Sequence, residues 1–260
     1  MPQLSLYPDL GTPFIELESI DSTNNYALQQ LHAGLAQHGT AFFAHEQVAG
    51  KGQRGKTWAM QKGENLILSV VIDPQTLSLS RQFQLSACVA ISVFDLFSQY
   101  AGDDTRIKWP NDLYWQDRKA GGILIENIIG GSGQEWKWAV AGIGININQV
   151  GFPAALKNPV SLKQITGKDF NPAELARELC SRVNAHFNTL LNKGFEPIYQ
   201  RYLNHLYKRG EKVKLKKDSR VFEALIKNVT PGGLLVTEHG VEEEFATGQV
   251  EWVMNDKTPL

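Results

Sequence analysis

Gly50-Lys51-Gly52-Gln53-Arg54-Gly55-Lys56-Thr57 is the stretch on which the fold turns. It spells the phosphate-binding pattern G-x-x-x-x-G-K-[ST], which would make the chain a P-loop α/β protein. That motif works because its Lys-Thr pair opens a helix whose N-terminus receives phosphate. Here Thr57 leads into Trp58-Ala59-Met60-Gln61-Lys62-Gly63 and then the alternating run Leu66, Leu68, Val70, Ile72, a strand ended by Asp73-Pro74. No helix starts on cue, so the P-loop reading fails and the segment becomes a connection between two strands. It still carries chemistry. From Gln47 to Gly63 it holds Lys51, Arg54, Lys56 and Lys62 and no acid. The glycines at 50, 52 and 55 leave backbone N–H groups free to approach a ligand, and Trp58 adds a flat apolar face. Anion binding is the favoured reading over a solvated surface loop.

Upstream, Phe14–Ile20 alternates like a strand, and Asp21-Ser22-Thr23-Asn24-Asn25 offers side chains that cap helices. Leu28, Leu31 and Leu35 predict the helix that follows, closed by Gly39, and Ala41–Ala44 reads as a strand. Downstream, Arg81–Tyr100 is apolar on most sides, the mark of a buried helix. Strands are predicted over Thr105–Trp109, Gly122–Ile128 and Trp138–Asn148, the first two split by a Pro-Asn-Asp turn, the last two joined as a hairpin through Gly130-Gly131-Ser132-Gly133. Asn171-Pro172-Ala173-Glu174 opens a helix running to Lys193 and stopped by Gly194; a second covers Glu196–Lys208. After Gly210 short alternating runs (Val213–Leu215, Val221–Ile226, Leu234–Val236, Glu244–Ala246) predict a small β-barrel of about 50 residues. The expected organisation is an α+β domain with a mixed sheet over residues 1–209, then a barrel over 210–260. Lys212, Lys214, Lys216 and Lys217 read as the barrel's solvated face.

Composition sets outer bounds. The 260 residues are 42% hydrophobic and 20% charged, with 26 Lys plus Arg against 27 Asp plus Glu, for a net charge of −1. Such a chain supports a sizeable core, and its charge balance argues against a surface devoted to nucleic acid or anionic membrane. Cys88 and Cys180 sit in apolar helical stretches and read as buried free thiols of a reducing compartment. No run reaches the roughly 18 apolar residues of a membrane span, and the N-terminal residues lack a signal-peptide pattern, so the expected location is cytoplasmic.

Three further constellations remain open on residue chemistry alone. Asn111-Asp112 after Pro110 is a good turn that also sets a carboxylate at a strand end. Lys119, ahead of Ala120-Gly121-Gly122, reads first as a surface charge and second as an ammonium aimed into a cleft. Gly142-Ile143-Gly144-Ile145-Asn146-Ile147-Asn148 lacks the third glycine and the helix of a dinucleotide fingerprint. Its glycines let a backbone or ligand approach, and its two asparagines share one strand face, either toward a polar ligand or toward solvent.

Taken in order, DSTNN (21–25), QVAGKGQRGKTW (47–58), IKWPNDLY (107–114), RKAGGILIE (118–126) and AGIGININ (141–148) resemble the motifs of biotin protein ligases. The resemblance implies a sheet like that of class II aminoacyl-tRNA synthetases followed by an SH3-like barrel. It implies ATP and biotin as substrates with Mg²⁺, biotinyl-5′-AMP as intermediate, and a carboxylase's biotin carboxyl carrier domain as acceptor. It places Ser22, Thr23, Asn24, Gln47, Lys51, Gly52, Gln53, Lys119, Gly122 and Gly142 around biotin. Around ATP it places Lys51, Arg54, Lys56, Trp58, Asn111, Lys119 and Asn146, with Lys119 and Asp112 catalytic. Lys51 and Gln53 stand where the family often has arginines, which implies altered loop closure and retention of the intermediate. Few residues precede the first motif, so no helix-turn-helix repressor domain and no DNA partner are expected; a homodimer is possible within the family. A lipoate ligase on the same scaffold and a non-enzymatic biotin- or nucleotide-binding regulator are the alternatives.

Overall fold

Alternating apolar residues build one large sheet from β1 (Phe14–Leu17), β2 (Ala41–Ala44), β3 (Asn65–Ile72), β4 (Thr105–Lys108), β5 (Asp112–Trp115), β6 (Arg118–Ile129) and β7 (Trp136–Asn146). The structure is a computed structural model and describes residues 8–58, 60–131 and 135–253. Ser132 and Gly133 of the expected hairpin turn lie outside the described residues. Spatial order is β1-β2-β3-β7-β6-β5-β4, with β1–β2 parallel and the other pairs antiparallel, so the sheet is mixed as expected.

The sheet's two faces differ. Leu66, Leu68, Val70 and Ile72 of β3 pack with the α2 helix (Gln82–Ala101) and the α4 helix (Pro172–Lys193) in the main core. The opposite face is covered in part by α1 (Thr23–His32), where Ala27 meets Phe42, Val71 and Val140. Across this second face the antiparallel register lines up Ile67, Gly144, Gly122, Asp112 and Lys108 as one row over five strands. Ser69 pairs with Gly142 one step along.

Several predicted boundaries shift for visible reasons. The first helix stops at His32, because Gly34 turns left-handed (φ +69°) and Leu35 is left 72% exposed rather than packed. Strand β5, Asp112–Trp115, begins at the last residue of the expected Pro-Asn-Asp turn and was not predicted, nor was the five-residue helix α3 (Leu162–Thr166). The last predicted helix, α5 (Glu196–Asn204), ends early because His205 and Tyr207 turn to pair their backbone with Ile107 on the outer edge of β4. Beyond Gly210, β8 (Lys212–Lys217), β9 (Arg220–Val229), β10 (Leu235–Glu238), β11 (Glu242–Phe245) and β12 (Glu251–Trp252) make a five-stranded antiparallel sheet in the order β11-β10-β9-β8-β12. Its Leu215, Ala224, Ile226, Val229, Leu235 and Phe245 belong to the same apolar cluster as α2 and α4. Cys88 and Cys180 are free and buried, and burial pushes the Cys180 thiol up to about 12. Among the described residues no helix is long and apolar enough to cross a membrane.

Helix α4 opens as its sequence dictates. Asn171 accepts at Oδ1 from the N–H groups of Ala173 (3.0 Å) and Glu174 (3.3 Å), with Pro172 in the first turn. Asn171→Ala is expected to lower the free energy of unfolding by about 1 kcal/mol. Urea denaturation should show this as a reduced midpoint with an unchanged m-value.

Candidate active site

Gly142, Gly144 and Gly122 pave the middle of the second face; at Gly142 and Gly144 any larger residue would strike what lies above. A Cβ on Gly142 would stand 2.3 Å from Asn24 Oδ1, and one on Gly144 2.4 Å from Trp58 Nε1. One on Gly122 would stand 3.4 Å from both Asp112 Oδ1 and Trp58 Cζ3. Three polar clusters surround this floor.

The first is built by the N-terminus of α1. Ser22 is its N-cap, and Thr23 and Asn24 are buried in its first turn. Thr23 donates to Gln47 Oε1 from its backbone N–H (2.7 Å) and from Oγ1 (3.1 Å). Ser69 Oγ lies 2.7 Å from Thr23 Oγ1 and 2.6 Å from Asn24 Oδ1, while Asn24 Nδ2 donates to Glu126 Oε2 at 2.7 Å. Asp21 receives Asn25 Nδ2 at 2.9 Å; that bond, followed by one from the Ser22 backbone, holds its carboxyl below the usual range.

The second cluster is the cationic loop. Gly50 bonds Trp58 (N–H of 58 to O of 50, 2.8 Å), Lys51 bridges Thr57, and Gly52 donates its N–H to Lys56 O at 2.6 Å. The loop is therefore a tight hairpin with a 3₁₀ turn, Gln53–Gly55, at its tip, and Arg54 there is left-handed (φ +57°). This corrects the expectation of free glycine amides: the Gly52 N–H is spent inside the hairpin. Lys51 Nζ donates to Asn25 Oδ1, which ties the loop to α1. Arg54 Nη1 donates to Gly248 O at 3.2 Å, which ties the tip to the C-terminal sheet. Gln53 and Lys56 sit on the hairpin, Lys56 exposed. Trp58 folds back over the glycine floor with its Nε1 buried and without an acceptor among the described residues.

The third cluster centres on Lys119. Its Nζ donates to Asp112 Oδ1 at 2.6 Å and lies 5.3 Å from the centre of the Trp58 ring. Its backbone is clamped on both sides: its N–H donates to Asn158 O, and its carbonyl receives the Val160 N–H, each at 2.9 Å. Asn146 reinforces the clamp, with Nδ2 donating to Val160 O at 3.1 Å; Asn111 Nδ2 donates to Ile123 O and pins the turn before Asp112. Asn148 bonds the Phe170 backbone, away from the floor. Lys108, at the end of the register row, is 8% exposed, and burial lowers its ammonium to about 8.

Thr23, Asn24, Gln47, Gly122, Gly142, Trp58, Asp112 and Lys119 thus meet on one face, whereas Arg54 and Lys56 lie on the hairpin and Asn111 and Asn146 spend their amides on backbone carbonyls. The reading missed Ser69, Glu126 and Lys108. Ser69 and Glu126 had a signal, as polar residues inside the apolar runs NLILSVVI and GGILIE. The floor offers hydroxyl and amide groups at one end, a lysine–carboxylate pair at the other, and a cationic lid over both. That arrangement suits a ligand with a neutral polar head and an anionic tail.

Comparison with known proteins agrees with this geometry. Residues 16–146 match the model of the biotin/lipoate A/B protein ligase family. A biotin–[acetyl-CoA-carboxylase] ligase of Paracoccus denitrificans is 33% identical over 230 residues, covering 85% of this chain and 92% of that protein. The bifunctional ligase/repressor BirA of Escherichia coli K12 is 29% identical, covering 90% of this chain and 72% of that protein. Among solved structures, a biotin protein ligase from Aquifex aeolicus in complex with biotin and ATP superposes with a TM-score of 0.77 at 25% identity, covering 93% of this chain and 98% of that one.

Gly142→Ala forces its new methyl into Asn24 and is expected to destabilise the protein by about 1–3 kcal/mol. Gly151→Ala, with nothing among the described residues within 4 Å of its added methyl, is the matched control and should leave the denaturation midpoint unmoved.

Proposed function

Because the chain belongs to the biotin/lipoate A/B protein ligase family, we propose that its glycine-paved face activates biotin with ATP and passes it to a lysine of a carboxylase's biotin carrier domain. The enzyme is a biotin–[acetyl-CoA-carboxylase] ligase. The observation that carries the residue assignment is the Lys119 ammonium held 2.6 Å from Asp112 beneath Trp58, at the end of the floor opposite the Thr23–Gln47–Ser69 cluster.

The first step joins two anions. Like unit charges about 4 Å apart repel by roughly 4 kcal/mol at an effective dielectric near 20. A lysine fixed by its backbone offsets this without reorganising, most strongly as charge builds on the α-phosphate. The biotin carboxylate oxygen attacks that phosphorus, pyrophosphate leaves, and biotinyl-5′-AMP remains. Thr23, Gln47 and Ser69 supply donors and acceptors for the ureido head, and Ser22 and Asn24 hold the helix end that presents them. Lys51, Gly52, Gln53, Arg54 and Lys56 form the lid that shields the mixed anhydride from water, with Trp58 against the nucleotide base. Among the described residues no group of three or more His, Cys, Asp or Glu could hold a metal. Magnesium is accordingly read as arriving on the phosphates of the nucleotide substrate.

In the second step the carrier amine attacks the acyl carbonyl and AMP departs. A free lysine amine is only about 0.1% neutral near pH 7.4, so delivering it neutral is worth about 4 kcal/mol. Asp112 faces the reacting carbonyl and relieves the incoming ammonium of its proton. Residues 1–209 are read as the catalytic part, and the five-stranded sheet of residues 210–260 as the SH3-like module.

Lys119→Ala is expected to reduce biotin-dependent ATP–pyrophosphate exchange by about 10²- to 10³-fold or more. Offering biotin and lipoate side by side to the parent enzyme tests the substrate: exchange with lipoate alone would sink the biotin reading. Gln53→Arg restores a cation in the lid and is expected to slow release of biotinyl-5′-AMP, measured by gel filtration of the preformed complex.

A further inference from the structure

Lys108 is a largely buried ammonium with no ion pair among the described residues. Among the described residues no carboxylate stands within 4 Å of its Nζ, and its recorded contacts are two ring faces. Tyr114 on β5 has its ring centre at 5.0 Å, and Trp252 on β12 of the C-terminal sheet has its own at 5.1 Å. Tyr207 completes the cage, 5.1 Å from the Tyr114 ring and 5.7 Å from Trp252. Ring faces attract a cation but accept none of its N–H groups in the way an oxygen does. Buried ammonium groups are ordinarily paired, and the Lys108 Nζ, unlike the Trp252 indole nitrogen, is not wholly enclosed, so it is open to an acceptor that arrives from outside.

The register row says which acceptor. Gly122, Asp112 and Lys108 are successive cross-strand partners on β6, β5 and β4, so their side chains share one face. Strand spacing puts Lys108 about 10 Å beyond Gly122, along the line that leaves the Lys119 end of the floor. The geometry points to Lys108 as a contact for the polyphosphate oxygens of ATP beyond the reacting phosphorus, with Trp252 as the residue that positions it. This inference rests on the ligase reading and deepens it. It also gives the C-terminal sheet a specific task in the first step, since Trp252 reaches Lys108 from outside the large sheet.

The charged and titratable groups around Lys108 are Asp112 and Tyr114 on β5, Lys119 on β6, Lys56 on the lid, and Tyr207 after α5. Burial is the main influence lowering the Lys108 ammonium, the positive charges of Lys119 and Lys56 add to it, and Asp112 opposes them. A lowered lysine destabilises the fold while charged and ceases to do so as pH rises above its folded value. Lys108→Met should therefore melt no lower than the parent at pH 7.

The test is biotin-dependent ATP–pyrophosphate exchange with the full chain. An inactive parent protein would overturn the ligase reading itself, a result separate from the variant comparison. In an active background, Lys108→Met is expected to raise KM for ATP and for pyrophosphate by about tenfold or more, with the biotin Kd within about twofold of the parent. Trp252→Ala should follow it in the same direction, and Trp252→Phe should recover most of the loss. The parent's KM for ATP should rise as pH passes about 8, and Lys108→Arg, which stays charged, should flatten that rise. An unchanged KM for ATP in Lys108→Met, equal losses in Trp252→Phe and Trp252→Ala, or a parallel loss of biotin affinity would each overturn the assignment.

Discussion

Antiparallel register is the constraint from which the site follows. Ile67, Gly144, Gly122, Asp112 and Lys108 face one another only because β3, β7, β6, β5 and β4 pair in one alignment. Side chains alternate between faces along a strand, so a slip of one residue would send the carboxylate and the lysine into the helical core. Leu66, Leu68, Val70 and Ile72 prevent that slip, since their burial against α2 and α4 is lost in any other alignment. The hydrophobic layer on one face thus fixes the chemistry on the other.

Within that frame, rigidity and mobility are divided between the parts. Lys119 is gripped by backbone bonds to Asn158 and Val160, braced in turn by Asn146, and so brings a fixed charge to the floor. The hairpin of residues 50–58 is instead held by a few exposed polar contacts, through Lys51 to Asn25 and Arg54 to Gly248. Exposed contacts of this kind are weak and exchange readily with water, which suits the lid role proposed for the hairpin.

Most of the sheet was legible because alternation and helix caps are local signals. Ala41–Ala44 and the span of α4 from Pro172 to Lys193 follow directly from the letters around them. Strand β5 was hidden because Asp112–Trp115 is only four residues long and sits behind a strong turn signal. The lid's hairpin was hidden because its pairing depends on Gly50 meeting Trp58, and the cage around Lys108 because Trp252 lies 144 positions away in the chain. Motif order singled out Thr23, Asn24, Gln47, Trp58, Asp112 and Lys119, which the fold gathers around the glycine floor. It did not reveal that Asn146 spends its amide on the backbone beside Lys119, nor that Ser69 joins Thr23 to Asn24.

The C-terminal sheet shares its apolar interior with the helices of the large sheet. Trp109 Nε1 also donates to Gly233 O at 2.9 Å, and Tyr199 Oη to Val229 O at 2.6 Å. A boundary drawn in the chain at Gly210 is therefore no seam in the folded molecule. Cutting there would uncover Phe83, which lies against Gly233, and strand both polar partners. An engineer seeking to transplant either half would have to resurface it first.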